Sequence, residues 1–168
     1  ADISSNDEVI IIDNNSADGS IDKIEKNSLY KDVKIIKNTC NTGYAFPCNQ
    51  AMLSGNGRYF LLCNNDIKLP EKCLDEFEEI FNNSPQSGII GGQLIDANKN
   101  MVGSYSKTPT FLSELDSIGR LRTPERYKTI HEVGTLRGAC LAVRKTTIES
   151  AGMMDDDFFF YFEETEWC

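Results

Sequence analysis

The chain has 168 residues, a length at which one domain is expected. Hydrophobic residues make up 40% of it and charged residues 26%, a globular composition that excludes disordered, collagen-like and low-complexity classes. The formal net charge of −9 repels phosphate backbones, so we expect no nucleic-acid partner, although a divalent cation could still join acidic side chains to a small phosphate ligand.

The first half of the chain alternates predicted strands and helices. Apolar runs predict strands at 8–13, 33–36, 59–63 and 88–95. The spacing of apolar residues predicts a short helix after Gly19, a second helix over 48–54, and a third from Pro70 to just before Pro85. Residues 38–47 are predicted to form a loop. This alternation predicts an α/β fold with a mostly parallel sheet flanked by helices.

The second half is less regular. Residues 100–135 include Pro109 and Pro124, and we expect a small antiparallel hairpin or a mobile loop there. A strand is predicted at 137–144 and a helix at 145–151. The chain then runs through acids, aromatics and acids again over 155–166. Aromatic clusters such as 158–162 most often belong to a core, and the alternative is that some of these rings stack on a sugar.

The cysteines and the hydropathy pattern indicate where in the cell the protein is expected to be. None of the six cysteines is at C-x-x-C spacing, so no zinc site is predicted. Several lie in apolar runs, which predicts buried free thiols and suits a reducing compartment. No apolar stretch approaches the roughly 18 residues of a membrane-spanning helix. We expect a cytoplasmic location, with peripheral association at the inner membrane face, through regions outside this chain, as an alternative.

Two polar clusters directly follow predicted strands. One begins at Asp13, and the other is Asn64, Asn65 and Asp66. Ligands of open α/β sheets bind beyond the carboxyl ends of the strands, although Asn and Asp are also common in solvated turns. Mg²⁺ and Mn²⁺ accept oxygen ligands and often bind only one or two carboxylates together with phosphate oxygens. We therefore predict Asp66 as a metal ligand, assisted by Asn64.

A third acidic cluster follows the aromatics near the end of the chain. Burial beside apolar rings raises a carboxyl pKa toward the range of a general base, which makes Glu163 and Glu164 candidates for that role. The alternative is that they complement a helix dipole.

Other motifs are weak or missing. Residues 14–25 have the spacing of a calcium-binding EF-hand loop, but the segment before them is predicted to be a strand where that motif requires a helix. His131 is the only histidine, and no G-x-S-x-G accompanies it. The sequence contains neither G-x-G-x-x-G nor a P-loop, so dinucleotide-binding and P-loop classes are excluded.

Five segments, taken together, resemble family 2 glycosyltransferases, enzymes of the GT-A fold that include bacterial rhamnosyltransferase-like proteins. Segment 9–20 resembles the family's second strand and nucleoside-contacting loop, and 41–49 its N-x-G-[FY]-A-x-x-x-N segment. Segment 61–66 resembles a D-x-D-type metal motif in which only the last position is acidic. Segments 137–144 and 152–166 resemble the strand on the acceptor side and the G-x-x-D-x-x-F-F-x-Y-x-E-D-x-D ending.

The resemblance implies a truncated GT-A-like domain over 1–168. It would transfer a sugar, with inversion, from a nucleotide-diphosphate donor to a hydroxyl of a glycan or lipid-linked acceptor in cell-surface polysaccharide synthesis. Glu164, or Glu163 beside it, would be the base, and Asp66 with Asn64 would hold Mn²⁺ or Mg²⁺. The donor would be bound by a set of residues at the strand ends: Asp13, Asn15, Ser16, Asn41, Gly43, Asn49 and Asn65.

The chain also departs from the family pattern. The family's first strand and the part beyond the acidic segment are missing, the metal motif has one carboxylate, and a Glu-Glu pair replaces Glu-Asp. Two other functions therefore stay open: a non-catalytic sugar-nucleotide binding module and a sugar nucleotidyltransferase.

Overall fold

The computed structural model describes residues 3–4, 6–107 and 129–168. It has the expected α/β architecture of short strands flanked by helices. The strands are β1 (Ile10–Asp13), β2 (Lys34–Lys37), β3 (Tyr59–Cys63), β4 (Ile89–Gly91), β5 (Tyr105–Ser106), β6 (Thr135–Leu136) and β7 (Cys140–Arg144). The helices are α1 (Ser20–Glu25), α2 (Ala45–Ser54), α3 (Cys73–Asn83), α4 (Lys145–Ala151) and α5 (Glu163–Trp167), with a 3-10 turn at Ser28–Tyr30.

The described strands form three small sheets. β1 pairs with β2 in parallel, as expected. β7 lies between β3 and β4 and runs antiparallel to both, so β3 and β4 point the same way without being neighbours. The expected parallel pairing is found between β1 and β2, whereas β7 pairs antiparallel with both of its neighbours. An apolar run buried on both faces predicts a central strand, and it carries no information on the strand's direction.

Several element boundaries differ from the sequence expectation. α2 begins at Ala45, inside the segment predicted to be a loop, because Pro47 occupies the first helical turn, where no backbone N–H is needed. β4 is shorter than the predicted 88–95. The strand expected at 137–144 begins only at Cys140, as β7, and β6 lies just before the predicted range. β5 pairs antiparallel with β6, which confirms the small antiparallel element. Pro109 and Pro124 lie outside the described residues.

The core lies around β7. Leu141 and Val143 of β7 are fully buried, and they form a cluster with residues of α2, of β3 and of the segment before α5: Ala45, Met52, Leu62 and Met154. On the α3 side, Phe81 stacks on Tyr59, with ring centroids 4.6 Å apart. The guanidinium of Arg144 lies 4.8 Å from the Phe81 ring centroid, and its Nη2 donates to the Phe81 carbonyl at 2.8 Å. These contacts hold α3 against the end of the sheet where β3 begins and β7 ends.

The cysteines are less buried than their apolar neighbours predict. All six are free thiols, but only Cys73 and Cys140 are buried, and Cys40, Cys63 and Cys168 are exposed. Three of them lie at the end of an element or in a loop, where solvent reaches one side of the chain. Within the described residues, no helix combines the length and the apolar character needed to cross a bilayer.

Candidate active site

Asn14 joins two of the predicted donor loops. It directly follows β1, and its Nδ2 donates to Asn41 Oδ1 and to the Gly43 carbonyl, both at 2.8 Å. Its Oδ1 accepts from the backbone N–H of Thr42 at 3.2 Å and from the Thr42 hydroxyl at 2.9 Å. Sequence reasoning passed over Asn14 in favour of its neighbours. The sequence feature that could have indicated Asn14 is its position as the first residue after an apolar strand.

The loop after β1 borders an open cavity. Asp13 Oδ1 accepts from the Ser16 backbone N–H at 3.0 Å, which closes a tight turn. Both residues line a cavity of about 280 Å³ with Asp22 and Lys37, among others. Asn15 is exposed at φ 67°, in the same turn. The structure thus brings Asp13, Asn15 and Ser16 together at one loop.

A second cavity lies where the loop before α2 meets the aromatic segment. It has a volume of about 350 Å³ and is lined by Asn41, Gly43, Tyr44, Phe159 and Phe160. The Tyr44 N–H donates to the Phe159 carbonyl at 3.0 Å. Gly43 adopts φ +86°, and its Cα lies directly against the Phe159 backbone. The predicted donor loop is therefore held against the segment that leads to the acidic pair.

Asn49 has a different place from the other predicted donor-binding residues. It is only 6% exposed, inside α2. Its Nδ2 donates to the Met154 carbonyl at 2.8 Å and to Asp156 Oδ1 at 2.5 Å, and its Oδ1 accepts from the Met154 N–H at 3.2 Å. These bonds occupy the buried amide of Asn49. The geometry therefore favours a role in which Asn49 positions residues 154–156, and not the predicted contact with a ligand.

The turn after β3 presents the predicted metal ligands to solvent. Asn64, Asn65 and Asp66 are all exposed. Among the described residues, no group of three or more His, Cys, Asp or Glu side chains is arranged to hold a metal ion. A cage made of protein ligands alone is therefore not formed there. The donor set, one carboxylate with an amide, fits Mg²⁺ or Mn²⁺ that takes its other ligands from phosphate and water.

Glu164 and the turn 64–66, which holds the predicted metal ligands, are both bonded to the residues before β7. The Gly138 N–H donates to Glu164 Oε1 at 3.4 Å, and the carbonyl of the next residue, Ala139, accepts from the Asn64 N–H at 3.0 Å. On the opposite side, the Tyr44 hydroxyl donates to the Gly138 carbonyl. The backbone of Gly138 and Ala139 therefore positions Glu164, the turn 64–66 and the loop before α2 relative to one another. Neither Asp66 nor Glu164 lines the two cavities described above.

Glu163 and Glu164 differ in environment although they are neighbours in α5. Glu163 is only 3% exposed, whereas Glu164 is partly exposed. The Oε2 atom of each is buried without a hydrogen-bond partner in the described structure. Burial raises the pKa of Glu163, and the charge of Glu164 raises it further. Burial also raises the pKa of the adjacent Cys48 thiol to about 12. Glu163 therefore keeps its proton to a higher pH than an ordinary glutamate does.

This difference predicts a pH-dependent stability. With a folded-state pKa above the ordinary 4.5, Glu163 holds its proton in the folded chain at pH values where the unfolded chain has lost it. Stability should therefore fall as the pH rises from about 4.5 through the raised pKa. In urea unfolding from pH 4.5 to 8, Glu163→Gln should lack this fall, and Glu149→Gln, an exposed change in α4, should retain it. Parallel curves for all three proteins would contradict the assignment.

The aromatics before α5 are not core residues. Four consecutive rings are 57–66% exposed: Phe159, Phe160, Tyr161 and Phe162. This corrects the expectation that the cluster is buried. Its alternative, rings available to a sugar or another apolar ligand face, agrees with the exposure. Two of the backbone positions, Tyr161 and Phe162, have positive φ, which directs the chain into α5.

The calcium-loop spacing at 14–25 does not form a calcium site. Glu25, which would be its last ligand, forms an ion pair with Lys37 at 2.7 Å, and Asn14 is bonded to the neighbouring loop. The preceding element is a strand, as expected. His131 is exposed and packs edge-on against Tyr105.

Comparison with known proteins places the chain in a family. The sequence model of the family described as "Glycosyl transferase family 2" matches residues 2–148, and the chain belongs to this family. The predicted membership of this family is thereby confirmed.

Two relatives are similar over nearly the whole chain. The low-salt glycan biosynthesis hexosyltransferase Agl10 of Haloferax volcanii is 24% identical over 166 residues, which cover 96% of this chain and 52% of that protein. The N-acetylglucosaminyl-diphospho-decaprenol L-rhamnosyltransferase of Mycobacterium tuberculosis is 20% identical and is covered to 58% of its length. The chain spans about half the length of these relatives.

Solved structures confirm the GT-A-like fold. TarS residues 1–349 of Staphylococcus aureus align with a TM-score of 0.63 at 16% identity, covering 95% of this chain and 44% of that one. The mannosyltransferase PcManGT of Pyrobaculum calidifontis, solved with GDP-Man and Mn²⁺, aligns with a TM-score of 0.60 at 15% identity, covering 95% and 41%.

Proposed function

We propose that this chain is the donor-binding and base-carrying part of an inverting, metal-dependent glycosyltransferase. The observation that carries the proposal is a pair of hydrogen bonds at residues 138–139. The Gly138 N–H donates to Glu164, and the Ala139 carbonyl accepts from Asn64, the first residue of the turn with the proposed metal ligands. The family membership and the two named transferases support a sugar-transfer reaction. The structure of a relative with GDP-Man and Mn²⁺ supports a nucleotide-sugar donor and a divalent ion.

Glu164 is proposed to act as the general base. Its Oε1 accepts the Gly138 N–H, which fixes the orientation of the carboxylate beside the residues before β7. The acceptor hydroxyl attacks the anomeric carbon and its proton passes to Glu164. The bond to the phosphate oxygen breaks, and the nucleoside diphosphate leaves from the opposite face. A single displacement of this kind inverts the anomeric carbon.

Asp66, with Asn64, is proposed to hold Mn²⁺ or Mg²⁺ against the donor diphosphate. The ion would neutralise negative charge on the leaving diphosphate. Asp13, Asn15 and Ser16 are proposed to contact the nucleoside, since they form one loop that borders a cavity. Asn41, Gly43 and Asn65 would border the sugar and the diphosphate, and Asn14 would hold the first two loops together.

The proposed acceptor is the hydroxyl of a glycan or of a lipid-linked sugar. The exposed rings at 159–162 lie next to α5 and offer an apolar face on which a sugar could stack. The name of the mycobacterial relative contains a decaprenol-linked sugar, which supports a lipid-linked acceptor. We propose that this acceptor is reached from the cytoplasmic side.

Nucleotide binding with and without Mn²⁺ tests the metal assignment. With UDP, GDP and related nucleoside diphosphates, we expect Mn²⁺ to tighten binding of the best nucleotide by about tenfold, equivalent to ~1.4 kcal/mol. Asp66→Asn should abolish the tightening because the only carboxylate of the turn is lost. Asp75→Asn, which removes an exposed carboxylate from α3, should retain it.

Two outcomes would contradict parts of the proposal. Equal Mn²⁺ effects in Asp66→Asn and Asp75→Asn would place the ion elsewhere. Donor binding with neither transfer nor donor hydrolysis would favour the non-catalytic binding module.

A further inference from the structure

Cys63 and Cys140 stand directly opposite each other on neighbouring strands. They are the last residue of β3 and the first residue of β7, and they are partners in the antiparallel register. The Asn64 N–H donates to the Ala139 carbonyl at 3.0 Å. Asn64 follows Cys63 and Ala139 precedes Cys140. In an antiparallel ladder, a hydrogen bond between these two neighbours means that the cysteines themselves exchange no backbone hydrogen bonds. Cys63 and Cys140 therefore form a non-hydrogen-bonded pair.

This type of pair has the geometry of a disulfide. Cα atoms of such pairs are about 4.5 Å apart, at the short end of the range of about 4.4 to 6.8 Å that disulfides span. Side chains of directly opposite residues lie on the same face of the sheet. The register of the two strands therefore allows the sulfur atoms to bond without a shift of either strand.

The two thiols differ in access. Cys63 is exposed, whereas Cys140 is 5% exposed beneath it. An oxidant from solvent would thus react with Cys63 first, and the buried Cys140 would then react with the oxidised Cys63. Cys73, at the start of α3, is the third thiol of this region, and it is buried and not opposite Cys63 in the ladder. Cys40 and Cys168 are exposed at other places in the chain.

We propose that Cys63 and Cys140 form a reversible cross-strand disulfide, a redox modification site at the base of the turn 64–66. The oxidant is a small disulfide of the glutathione class. The Cys63 thiolate attacks one sulfur of oxidised glutathione and releases one glutathione thiolate, leaving a mixed disulfide on Cys63. The Cys140 thiolate then attacks the Cys63 sulfur and releases the second glutathione. Two protein thiols are oxidised, one disulfide is reduced, and the two protons pass to the released thiolates.

Peptide mapping of the full chain tests the site directly and does not depend on the proposed enzymatic function. The chain is incubated with oxidised glutathione, quenched with an alkylating agent, digested and analysed by mass spectrometry. We expect a cross-linked peptide pair containing Cys63 and Cys140, and an intact mass lower by about 2 Da for the two hydrogens lost. Dithiothreitol should restore the original mass. The urea midpoint should rise on oxidation, because the bond closes a long loop of the unfolded chain.

Single variants separate this disulfide from other thiol chemistry. Cys140→Ser should stop the reaction at the first step and retain one glutathione on Cys63. Cys40→Ser, which removes an exposed thiol elsewhere, should still form the cross-link. A wild-type chain that accumulates glutathione on Cys63 without the cross-link, or that links Cys63 to Cys73, would overturn the proposal.

Discussion

Glu164→Gln should reduce sugar transfer by about 10²- to 10⁴-fold, the usual contribution of a general base. Glutamine keeps the length of the side chain, and its amide oxygen can still accept the Gly138 N–H that holds Glu164 Oε1 at 3.4 Å. It cannot take up the proton of an acceptor hydroxyl. The measurement is initial transfer rate at saturating donor, together with donor affinity. Affinity should be unchanged, because the carboxylate is proposed to contact the acceptor and not the nucleotide.

Glu166→Gln is the matched control for this experiment. It makes the same chemical change in the same helix, at an exposed position. Near-normal transfer is expected. If Glu164→Gln retained full turnover, the base assignment would be wrong. If instead it lost donor affinity, Glu164 would belong to the donor site.

The structure distinguishes two glutamates that the sequence could not. Sequence reasoning placed the base at Glu164 or Glu163, because both follow the aromatic run. In the fold, Glu163 is buried and its pKa is raised, whereas Glu164 is partly exposed and its Oε1 accepts the Gly138 N–H. The partner that makes this difference lies 26 residues earlier in the chain. Contacts of this kind depend on tertiary structure and leave no local pattern.

Most elements of the fold were predictable from local signals. Apolar runs and helical spacing located β1, β3, α3 and α4 closely, because burial of a face imposes a period on the sequence. The antiparallel direction of β7 was not predictable, since the same buried run suits either direction. Exposure of the rings at 159–162 was missed for a related reason: hydrophobicity does not report what covers a segment.

The places of Asp13 and Asp66 in the fold were predictable from the apolar runs before them. The structure has Asp13 as the last residue of β1 and Asp66 in the turn after β3, and their roles stay predictions. Asn14 and Asn49 were harder, because an asparagine in a motif can bind a ligand or the protein's own backbone. Asn14 links two loops and Asn49 bonds the backbone of Met154, roles that only the tertiary contacts show. We therefore expect donor-binding effects from changes at Asn49 to arise through 154–156.

Gly43→Ala should be among the most destabilising single changes in the donor loop. At φ +86°, an L-residue costs about 1–2 kcal/mol from backbone conformation alone. The added Cβ would also lie 2.8 Å from the Phe159 carbonyl carbon and closer still to its oxygen. Because backbone atoms cannot rotate away, the loop and the aromatic segment must separate, and we expect a total loss above ~3 kcal/mol. Urea unfolding measures this loss.

Gly19→Ala is the matched control for Gly43→Ala. It has the cost of a positive φ in an L-residue without the clash of the added Cβ. Gly19 has a similar φ of +72°, but a Cβ there would meet nothing within 4 Å. Its loss should stay near the ~1–2 kcal/mol of backbone conformation. Donor affinity should also fall more in Gly43→Ala, since the Tyr44 N–H bond to Phe159 would open together with the cavity between them. Equal losses of stability in the two variants would mean that the loop before α2 does not rest on Phe159, and the coupling between the donor loop and the acidic segment would have to be abandoned.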